Sequence, residues 1–391
     1  MYYLGIDIAK TNHVASLIDN YGNTLGKPIK FKNTTDGYKY LIDSIHEYVV
    51  DNCEILVGME ATGHYWLSLY SALEDDCFNL SVFNPIQIKS FRESFTIRKK
   101  KNDCIDSAII AHFVRTFGSI NTNIEIDTIM SLKQLTRYRS NLVSEISKLK
   151  TQVIGLLDKI FPEYSTLFSD TFGEASKQLL LNCNTPEDII AFNTSKLSKI
   201  LSKSSKERFG TTKVKSIKEV AKNSFGIKIM KDATSFTIKQ IIRQIIFIEE
   251  QIQTLDIEID KLYSTFNSYL TTIPGIGKTL APVILAEIGD INKFDSPNKL
   301  VAFAGCDPSQ NQSGNMSSTN EKTSKRGSPH LRHALHTASF VAVNNDVALK
   351  AYYDKKRAEG KHHYVALAGI SRKLLFIIYS VLKEQRKYVI K

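Results

Sequence analysis

Two long runs of apolar residues, spaced in steps of three and four, dominate the middle of the chain. Apolar residues at this spacing form one stripe along a helix, and a stripe of about four heptads needs a partner helix. The sequence therefore predicts a central coiled coil of long helices, pairing either as an internal hairpin or as a dimerisation arm. The seam residues are Leu132, Leu135, Leu142, Ile146, Leu149, Val153, Leu156 and Ile160, with Arg139 in one gap, and Ile238, Ile241, Ile245, Ile248, Ile252, Leu255, Ile259 and Leu262.

The helical centre divides the 391 residues into three predicted domains. Residues 1–120 form the first, residues 127–265 carry the long helices with a helical insertion at 161–235, and residues 268–391 form the third. A chain of this length is expected to build more than one core. The insertion is rich in Ser, Thr, Lys and Asn, and no chemical motif is recognisable in it.

The first domain is predicted to be α/β. Strands are expected at 2–9, 13–18 and 27–32, followed by a helix from about 35 to 48, strands at 54–59 and 80–83, and a helix at 103–117. Three meandering strands followed by alternating helices and strands are typical of a ribonuclease-H-like (RuvC-like) domain. The expected fold class is α/β plus α, with a mainly helical C-terminal domain.

Four carboxylates occupy prominent positions in that first domain. Asp7 lies near the end of the first strand, Glu60 follows the strand at 54–59, and Asp103 and Asp106 lie one turn apart on a helix. Together they carry enough negative charge to hold two Mg²⁺ ions for phosphodiester chemistry. Taken singly, three of them have a plain alternative: Asp7 an N-cap or turn residue or the phosphate loop of a sugar-kinase-like ATPase, Asp103 a helix N-cap, and Asp106 a favourable charge at a helix start.

Positive charge is concentrated near the C-terminus. The chain has a net charge of +11, and residues 320–391, with fifteen Lys and Arg against five Asp and Glu, contribute +10 of it. A smaller basic block, Arg98–Lys101, precedes the Asp pair. Such segments favour a polyanionic partner.

Two C-terminal motifs suit contact with phosphates. Ile273-Pro-Gly-Ile-Gly-Lys278 is predicted to join two helices as a helix-hairpin-helix, whose glycines admit a DNA phosphate. Its spacing does not fit a nucleotide-binding P-loop. The second motif is a Ser- and Gly-rich basic loop with Lys325 and Arg326, followed by Arg332. A serine there is either a nucleophile toward phosphate or a hydroxyl that contacts phosphates, and composition does not choose among six serines.

Both ends of the chain resemble the DEDD transposases of the insertion-sequence "one-ten" (IS110) family, relatives of the Piv DNA invertases. The N-terminal matches are Gly-Ile-Asp-Ile-Ala-Lys, Met-Glu-Ala-Thr-Gly-His-Tyr, Val-Phe-Asn-Pro and Lys-Asn-Asp-Cys-Ile-Asp-Ser-Ala. The C-terminal matches are Ile-Pro-Gly-Ile-Gly, Phe-Ala-Gly-Cys-Asp-Pro, Gln-Ser-Gly and Ser-Lys-Arg-Gly-Ser-Pro-His-Leu-Arg-His-Ala-Leu. One departure is Asn102, where the family usually has Thr.

The resemblance implies a role for each of these residues. Asp7, Glu60, Asp103 and Asp106 would bind Mg²⁺, with Mn²⁺ as a substitute, and Ser313 would be a nucleophile that links covalently to DNA. The carboxylates of one subunit would act with the serine of another, so a dimer or tetramer is expected. Lys278, Lys325, Arg326 and Arg332 would contact nucleic acid. A non-coding bridge RNA would choose the donor and target DNA.

Three other functions remain open: a RuvC-like structure-specific nuclease, a Piv-like DNA invertase, and a non-catalytic nucleic-acid-binding regulator. The five cysteines are scattered without a Cys-x-x-Cys pair, and no signal peptide precedes the first strand, which favours a cytoplasmic protein. The apolar stretch 374–382 is shorter than a membrane span, so no membrane association is expected.

Overall fold

The computed structural model describes residues 1–61, 63–83, 85–95, 102–118, 126–307, 312–313, 316–317 and 323–389. The basic block Arg98–Lys101 lies outside these residues. The chain divides into two compact units, Met1–Ile124 and Glu125–Lys391. The first contains a five-stranded sheet with helices, and the second is mostly helical, so the predicted α/β region followed by a helical region is confirmed.

The sheet of the first unit has the strand order β3-β2-β1-β4-β5. β1 pairs antiparallel with β2, and β2 with β3, whereas β1 pairs parallel with β4, and β4 with β5. The carboxyl ends of the parallel strands β1, β4 and β5 therefore meet at one edge. The strands are β1 Tyr2–Asp7, β2 Asn12–Ile18, β3 Thr24–Lys32, β4 Ile55–Glu60 and β5 Asn79–Phe83.

Helices cover both faces of this sheet. Leu4 and Ile6 pack on one face with α1 (Thr35–His46) and α2 (Trp66–Asp75), and Tyr3 packs on the other with α4 (Asp103–Phe117). This division follows from the alternation of side chains along β1. α3 (Pro85–Phe95) lies on the α4 side. The predicted N-cap of α1 is confirmed, because the Thr34 hydroxyl accepts a hydrogen bond from the Gly37 amide at 3.2 Å.

The two predicted long helices are α5 (Ile126–Ile160) and α10 (Lys231–Ser264), and they pack against each other within one chain. Leu142, Ile146 and Val153 of α5 are buried in the same cluster as five isoleucines of α10. Arg139, which interrupts the apolar repeat, forms two hydrogen bonds to Asp256 across the pair, at 2.5 and 3.2 Å. The predicted internal hairpin is therefore present, and the predicted dimerisation arm stays a prediction.

Four short helices connect α5 to α10 and cover the far end of the hairpin. They are α6 Glu174–Asn182, α7 Pro186–Ala191, α8 Thr194–Ser204 and α9 Thr211–Lys222. Their core is continuous with the seam of the long helices. Lys177 is buried and forms ion pairs with Glu174 at 2.7 Å and with Glu249 of α10 at 2.5 Å, which ties this small bundle to the hairpin.

The C-terminal core packs against the first half of α5. Its elements are α11 Leu280–Ile288, α12 Pro297–Ala304, β6 Gln312–Ser313, β7 Met316–Ser317, α13 Pro329–Asn345, α14 Val347–Ala358 and α15 His363–Glu384. Glu287 is buried and accepts two hydrogen bonds from Arg137 of α5, at 2.7 and 3.0 Å. Among the described helices, α15 alone has the length and composition to cross a membrane, and 56% of its apolar window is buried inside the protein.

Within the described range 126–307, the first helix of the predicted helix-hairpin-helix is not present. A 3-10 turn, Leu270–Thr272, stands where a full helix was expected, and α11 begins only at Leu280. Pro274 explains why the 3-10 turn ends at Thr272, because the residue before a proline prefers extended backbone and Ile273 is extended. Gly275 has φ +86°, and a Cβ there would lie 2.3 Å from the carbonyl oxygen of Ala338. This glycine therefore permits packing against α13.

Candidate active site

A pair of glycines brings α4 against the centre of the sheet. Gly5 of β1 and Gly58 of β4 are register partners. A Cβ at Gly5 would lie 2.2 Å from the backbone of Ser107 and Ala111, and a Cβ at Gly58 would lie 2.0 Å from a methyl group of Val114. Only residues without a side chain fit at these two positions, so the helix backbone approaches the strands more closely than usual.

The same geometry brings the predicted carboxylates to one face of the sheet, two of them from strands and two from α4. Asp7 and Glu60 each follow one of the two glycines by two residues, and side chains two apart on a strand point to the same face. Both therefore lie on the face covered by α4, at the carboxyl edge of β1 and β4. Asp103 and Asp106 occupy the first turn of α4, and Asp106 is buried.

The N-cap of α4 is Asn102, whose side chain accepts a hydrogen bond from the Cys104 amide at 3.2 Å. The alternative interpretation of Asp103 as the N-cap is therefore wrong. A second fixed contact of the helix is the hydrogen bond of 2.7 Å between the buried hydroxyls of Ser16 and Ser107. The first bond fixes the start of α4, where its two carboxylates lie, and the second bond ties the helix to β2.

The electrostatics of Asp7 indicate that the four carboxylates lie near one another. Burial, and then the negative charges of Asp106, Asp103 and Glu60, raise the pKa of Asp7 to about 6. Arg92 of α3 opposes this shift, and its guanidinium lies 2.8 Å from a carboxylate oxygen of Asp106. The sequence interpretation missed Arg92, because an arginine in an amphipathic helix carries no signal of its partner.

The carboxylates are not arranged around a common point. Within the described ranges, no three Asp, Glu, His or Cys side chains are placed to share one metal ion. The donor set is nevertheless suitable, since carboxylate oxygens are the ligands that Mg²⁺ prefers. Burial and then repulsion raise the pKa of Asp7, and a divalent cation would offset the repulsion. Such an ion would compete with Arg92 for Asp106.

The serine loop of the C-terminal core is closed at its base. The Ser324 amide donates to the Asp307 carbonyl at 2.9 Å, the Ser324 hydroxyl donates to the Asp307 carboxylate, and the Lys325 amide donates to the Gly305 carbonyl at 3.1 Å. Between these ends, Gln312–Ser313 pairs antiparallel with Met316–Ser317. The side chain of Ser313 lies outside the described part of the chain.

The four cations predicted to contact nucleic acid have different surroundings. Lys278, Lys325 and Arg326 are exposed to solvent. Arg332 is half-buried, and its guanidinium donates to the carbonyl oxygens of Gly327 at 2.5 Å and Ala304 at 3.4 Å. It therefore holds the segment after the serine loop against α12, which is a structural task that the sequence did not indicate.

Comparison with known proteins covers both ends of the chain. A profile of the DEDD transposases of the IS110 type matches residues 4–162, and a profile of the IS116/IS110/IS902 transposase family matches residues 267–354. The 44.8 kDa protein of insertion element IS116 from Streptomyces clavuligerus is 22% identical over 99% of this chain and 96% of its own length. The mini-circle putative transposase for IS117 from Streptomyces coelicolor is 21% identical over 99% of this chain and 95% of its own length.

The pilin gene-inverting protein of Moraxella bovis is also similar along nearly its whole length. It is 23% identical over 99% of this chain and 97% of its own length. The two profiles and the full-length relatives agree on one assignment: the chain belongs to the IS110 family of transposases.

Proposed function

We propose that this transposase is a metal-dependent DNA recombinase whose cation is held by Asp7, Glu60, Asp103 and Asp106. The observation that carries the proposal is the placement of Asp7 and Glu60 at the sheet edge, on the face that α4 covers with Asp103 and Asp106 in its first turn. Burial, and then the charges of the other three carboxylates, raise the pKa of Asp7 to about 6. Perturbed acids of this kind are concentrated at functional sites. Mg²⁺ would be the native ion, two ions would be bound, and Mn²⁺ would replace them. When bound, such ions polarise the phosphate and stabilise the attacking and leaving oxygens.

The fold of the first unit is best described as ribonuclease-H-like. Three antiparallel strands followed by two parallel ones, in the order β3-β2-β1-β4-β5, support this assignment. The acids at the ends of β1 and β4 and on α4 would then be the active-site carboxylates of a RuvC-like domain. Asp7 and Glu60 would bind the ion from the sheet edge, and α4 would supply the other two oxygens.

Ser313 is the proposed nucleophile. Its Oγ would form a bond to the DNA phosphorus, the deoxyribose oxygen would leave with a proton, and a covalent phosphoserine would result. The closed base of the loop and the exposed cations Lys325 and Arg326 support a phosphate near this serine. Positive charge there would stabilise the charge that develops during transfer.

The enzyme would act as a dimer or tetramer in the cytoplasm. Several large apolar side chains on the outer faces of α5 and α10 are exposed, and a second hairpin would cover them: Tyr138, Val143, Phe247 and Ile257. The active site would combine the carboxylates of one subunit with the serine of another. A bridge RNA is the proposed second nucleic-acid partner, in keeping with the positive C-terminal segment.

The test is a covalent adduct. Purified protein incubated with Mg²⁺ and DNA carrying the element ends should yield a protein–DNA species that survives denaturation. Ser313→Ala and Asp7→Asn should each abolish it, with Ser317→Ala as the matched control in the same loop. Efficient cleavage by Ser313→Ala would instead indicate a RuvC-like nuclease. Recombination that persists after Asp7→Asn would indicate a different catalytic centre and leave the first unit a regulatory role.

The relative named as a pilin gene-inverting protein motivates a second candidate, a DNA invertase. The two functions differ in the arrangement of the sites. Excision and insertion of an element between separate DNA molecules would support transposition. Exchange restricted to two inverted sites on one molecule would support inversion.

A further inference from the structure

The helical insertion contains a second strongly basic segment. Residues 196–231 contain eleven Lys and Arg against two Glu, a net charge of +9, whereas the whole chain carries +11. The C-terminal segment accounts for a further +10, so the rest of the protein is net negative. Positive charge is therefore concentrated in two separate places, and the catalytic proposal uses only one of them.

Three lysines line one exposed stripe of α8. Lys196, Lys199 and Lys203 follow the three-and-four spacing of a helix face, and all three are exposed, while Leu197 and Leu201 are buried in the bundle. Among the described residues, none of the three has an ion-pair partner. Their ammonium groups are therefore free to meet an external anion.

The lysines of the neighbouring helix α9 are mostly engaged within the protein. Lys213 lies over the rings of Phe168 and Phe209, Lys218 donates to two backbone carbonyls, and Lys222 pairs with Glu219 at 3.4 Å. This contrast separates lysines that serve the fold from those of α8, which do not.

An exposed apolar loop follows α9. Phe225 is 93% exposed, Ile229 is 75% exposed and Met230 is 67% exposed. Lys228 lies among them and is also exposed. Large apolar side chains that are this exposed and interleaved with cations are typical of surfaces that bind a partner.

The backbone of this loop is fixed at the end of α5. Glu163 accepts hydrogen bonds from the Ser224 hydroxyl at 2.7 Å and the Phe225 amide at 3.1 Å. The Ile227 amide donates to the Lys159 carbonyl at 2.8 Å, and Gly226 lies so close that a Cβ would be 2.0 Å from the Ile160 carbonyl oxygen. The exposed position of the Phe225 side chain is thus built into the fold.

Lys218 of α9 donates to the carbonyls of Ile190 and Phe192 just before α8, and the apolar loop directly follows α9. We propose that the exposed lysines of α8 and the loop with Lys228 and Phe225 form one basic tip, which binds the phosphate backbone of nucleic acid and places Phe225 against a base. Lysines release counterions when they neutralise phosphates, and an aromatic ring stacks on bases with little regard to sequence. The charge of the tip and the DNA-rearranging family of the chain favour nucleic acid over a membrane. Binding at the tip does not depend on the chemistry of Ser313.

The distance along α5 between the C-terminal core and the tip determines how long a nucleic acid must be to contact both. Arg137 contacts the C-terminal core and Lys159 contacts the apolar loop, and both belong to the single helix α5. Helical residues rise 1.5 Å each, so the two contacts are roughly 33 Å apart. At 3.4 Å per base pair, a duplex held at the core would need about ten further base pairs to reach the tip.

The experiment measures the salt dependence of binding by the full-length protein to a 30-base-pair DNA duplex and to a single-stranded RNA of 30 nucleotides. The measured quantity is the slope of the logarithm of the binding constant against the logarithm of the salt concentration, which is negative. The combined variant Lys196→Gln, Lys199→Gln and Lys203→Gln should reduce the magnitude of this slope by about 3 on duplex DNA or about 2 on the single strand. The probe that responds identifies the kind of nucleic acid. The matched control, Lys27→Gln, Lys30→Gln and Lys39→Gln, removes the same charge from exposed lysines of the first unit and should leave the slope unchanged.

Phe225→Ala tests the base contact separately. On the single-stranded RNA, which offers unpaired bases, it should weaken binding about tenfold at fixed salt without changing the slope. Tyr21→Ala, which removes a side chain that is 84% exposed, should have no effect. An unchanged slope on both probes in the lysine variant, or an equal fall in its control, would overturn the proposal. Unchanged nucleic-acid binding with lost binding to phosphatidylserine vesicles would assign the tip to a membrane instead.

Discussion

Gly5 and Gly58 are paired in register on neighbouring parallel strands, and each admits the same helix, α4, to the sheet. The acids Asp7 and Glu60 lie two residues beyond them on the same face. The two glycines and the two acids therefore form one unit of structure, in which the close approach of α4 determines how near its own carboxylates come to the strands.

Gly5→Ala should push α4 away from β1, because the new methyl group would meet helix backbone, which has no flexible end to move aside. Overpacking of this kind typically costs about 1–3 kcal/mol. We expect a lower unfolding midpoint and weaker Mg²⁺ binding, measured by denaturation and calorimetry. Gly155→Ala is the matched control: nothing lies within 4 Å of a Cβ there, and alanine in a helix should stabilise it by about 0.5–1 kcal/mol. Equal metal affinity in Gly5→Ala and wild type would contradict the argument.

The N-cap of α4 offers a milder change at the same helix. Asn102→Ala removes the bond to the Cys104 amide and should cost about 1 kcal/mol. Because both carboxylates lie in the turn that this cap holds, Mg²⁺ affinity should fall with it. Asn102→Thr restores a capping hydroxyl and should behave as wild type. If the threonine variant lost as much affinity as the alanine variant, the amide would have a role beyond capping.

The sequence predicted the elements of the first unit well because each depends on local information. The predicted helix 103–117 is α4 itself, and the predicted strands differ from β1–β5 by up to three residues at their ends. The contacts of Arg92 with Asp106 and of Arg137 with Glu287 could not be predicted in this way. They join residues on different helices, and spacing along the chain does not reveal which exposed-looking arginine has a buried partner.

The serine loop and the insertion show two further limits. Ser313 was identified only through the resemblance to a family, since six serines in a basic loop have the same composition. In the insertion, the many Ser and Thr residues obscured a charge pattern that was already present. The three-and-four spacing of Lys196, Lys199 and Lys203 marks a charged helix face in the sequence itself.

Asp7 should couple metal binding to pH. Its pKa is raised to about 6 in the metal-free protein, so below that pH a cation must displace a proton, and Mg²⁺ affinity should fall as the pH drops through 6. The stability of the metal-free protein changes with pH in the opposite direction. A raised folded pKa means that ionised Asp7 destabilises the metal-free protein as the pH rises through about 6.

Asp7→Asn should therefore raise the unfolding midpoint at pH 7.5 without metal. With saturating Mg²⁺ the wild type should have the higher unfolding midpoint, because only the wild type gains stability from a bound ion. Thermal unfolding of both proteins with EDTA and with Mg²⁺ tests this crossing. The same order under both conditions would remove Asp7 from the metal site.

Glu287 links the C-terminal core to α5, and its replacement should be costly. Its side chain is 1% exposed and accepts two hydrogen bonds from Arg137. Losing one partner of a buried pair costs about 3–5 kcal/mol, and since Arg137 can reach water we expect a loss of about 2–3 kcal/mol for Glu287→Gln. The measurement is the unfolding midpoint in denaturant, with the exposed Glu258→Gln as control.

The dependence of this loss on pH identifies its cause. Burial raises the pKa of Glu287, but the hydrogen bonds from Arg137 and the charge of Lys133 together lower it by more than burial raises it. The net pKa is therefore below the usual 4.5. A lowered folded pKa contributes stability that is fully present above about pH 4.5 and is lost as the pH falls through the folded value. The difference between wild type and Glu287→Gln should thus be constant from pH 8 to about 5.5 and shrink below pH 4.5. A difference that stayed constant to pH 3 would mean that packing, rather than the ion pair, fixes α11 to α5.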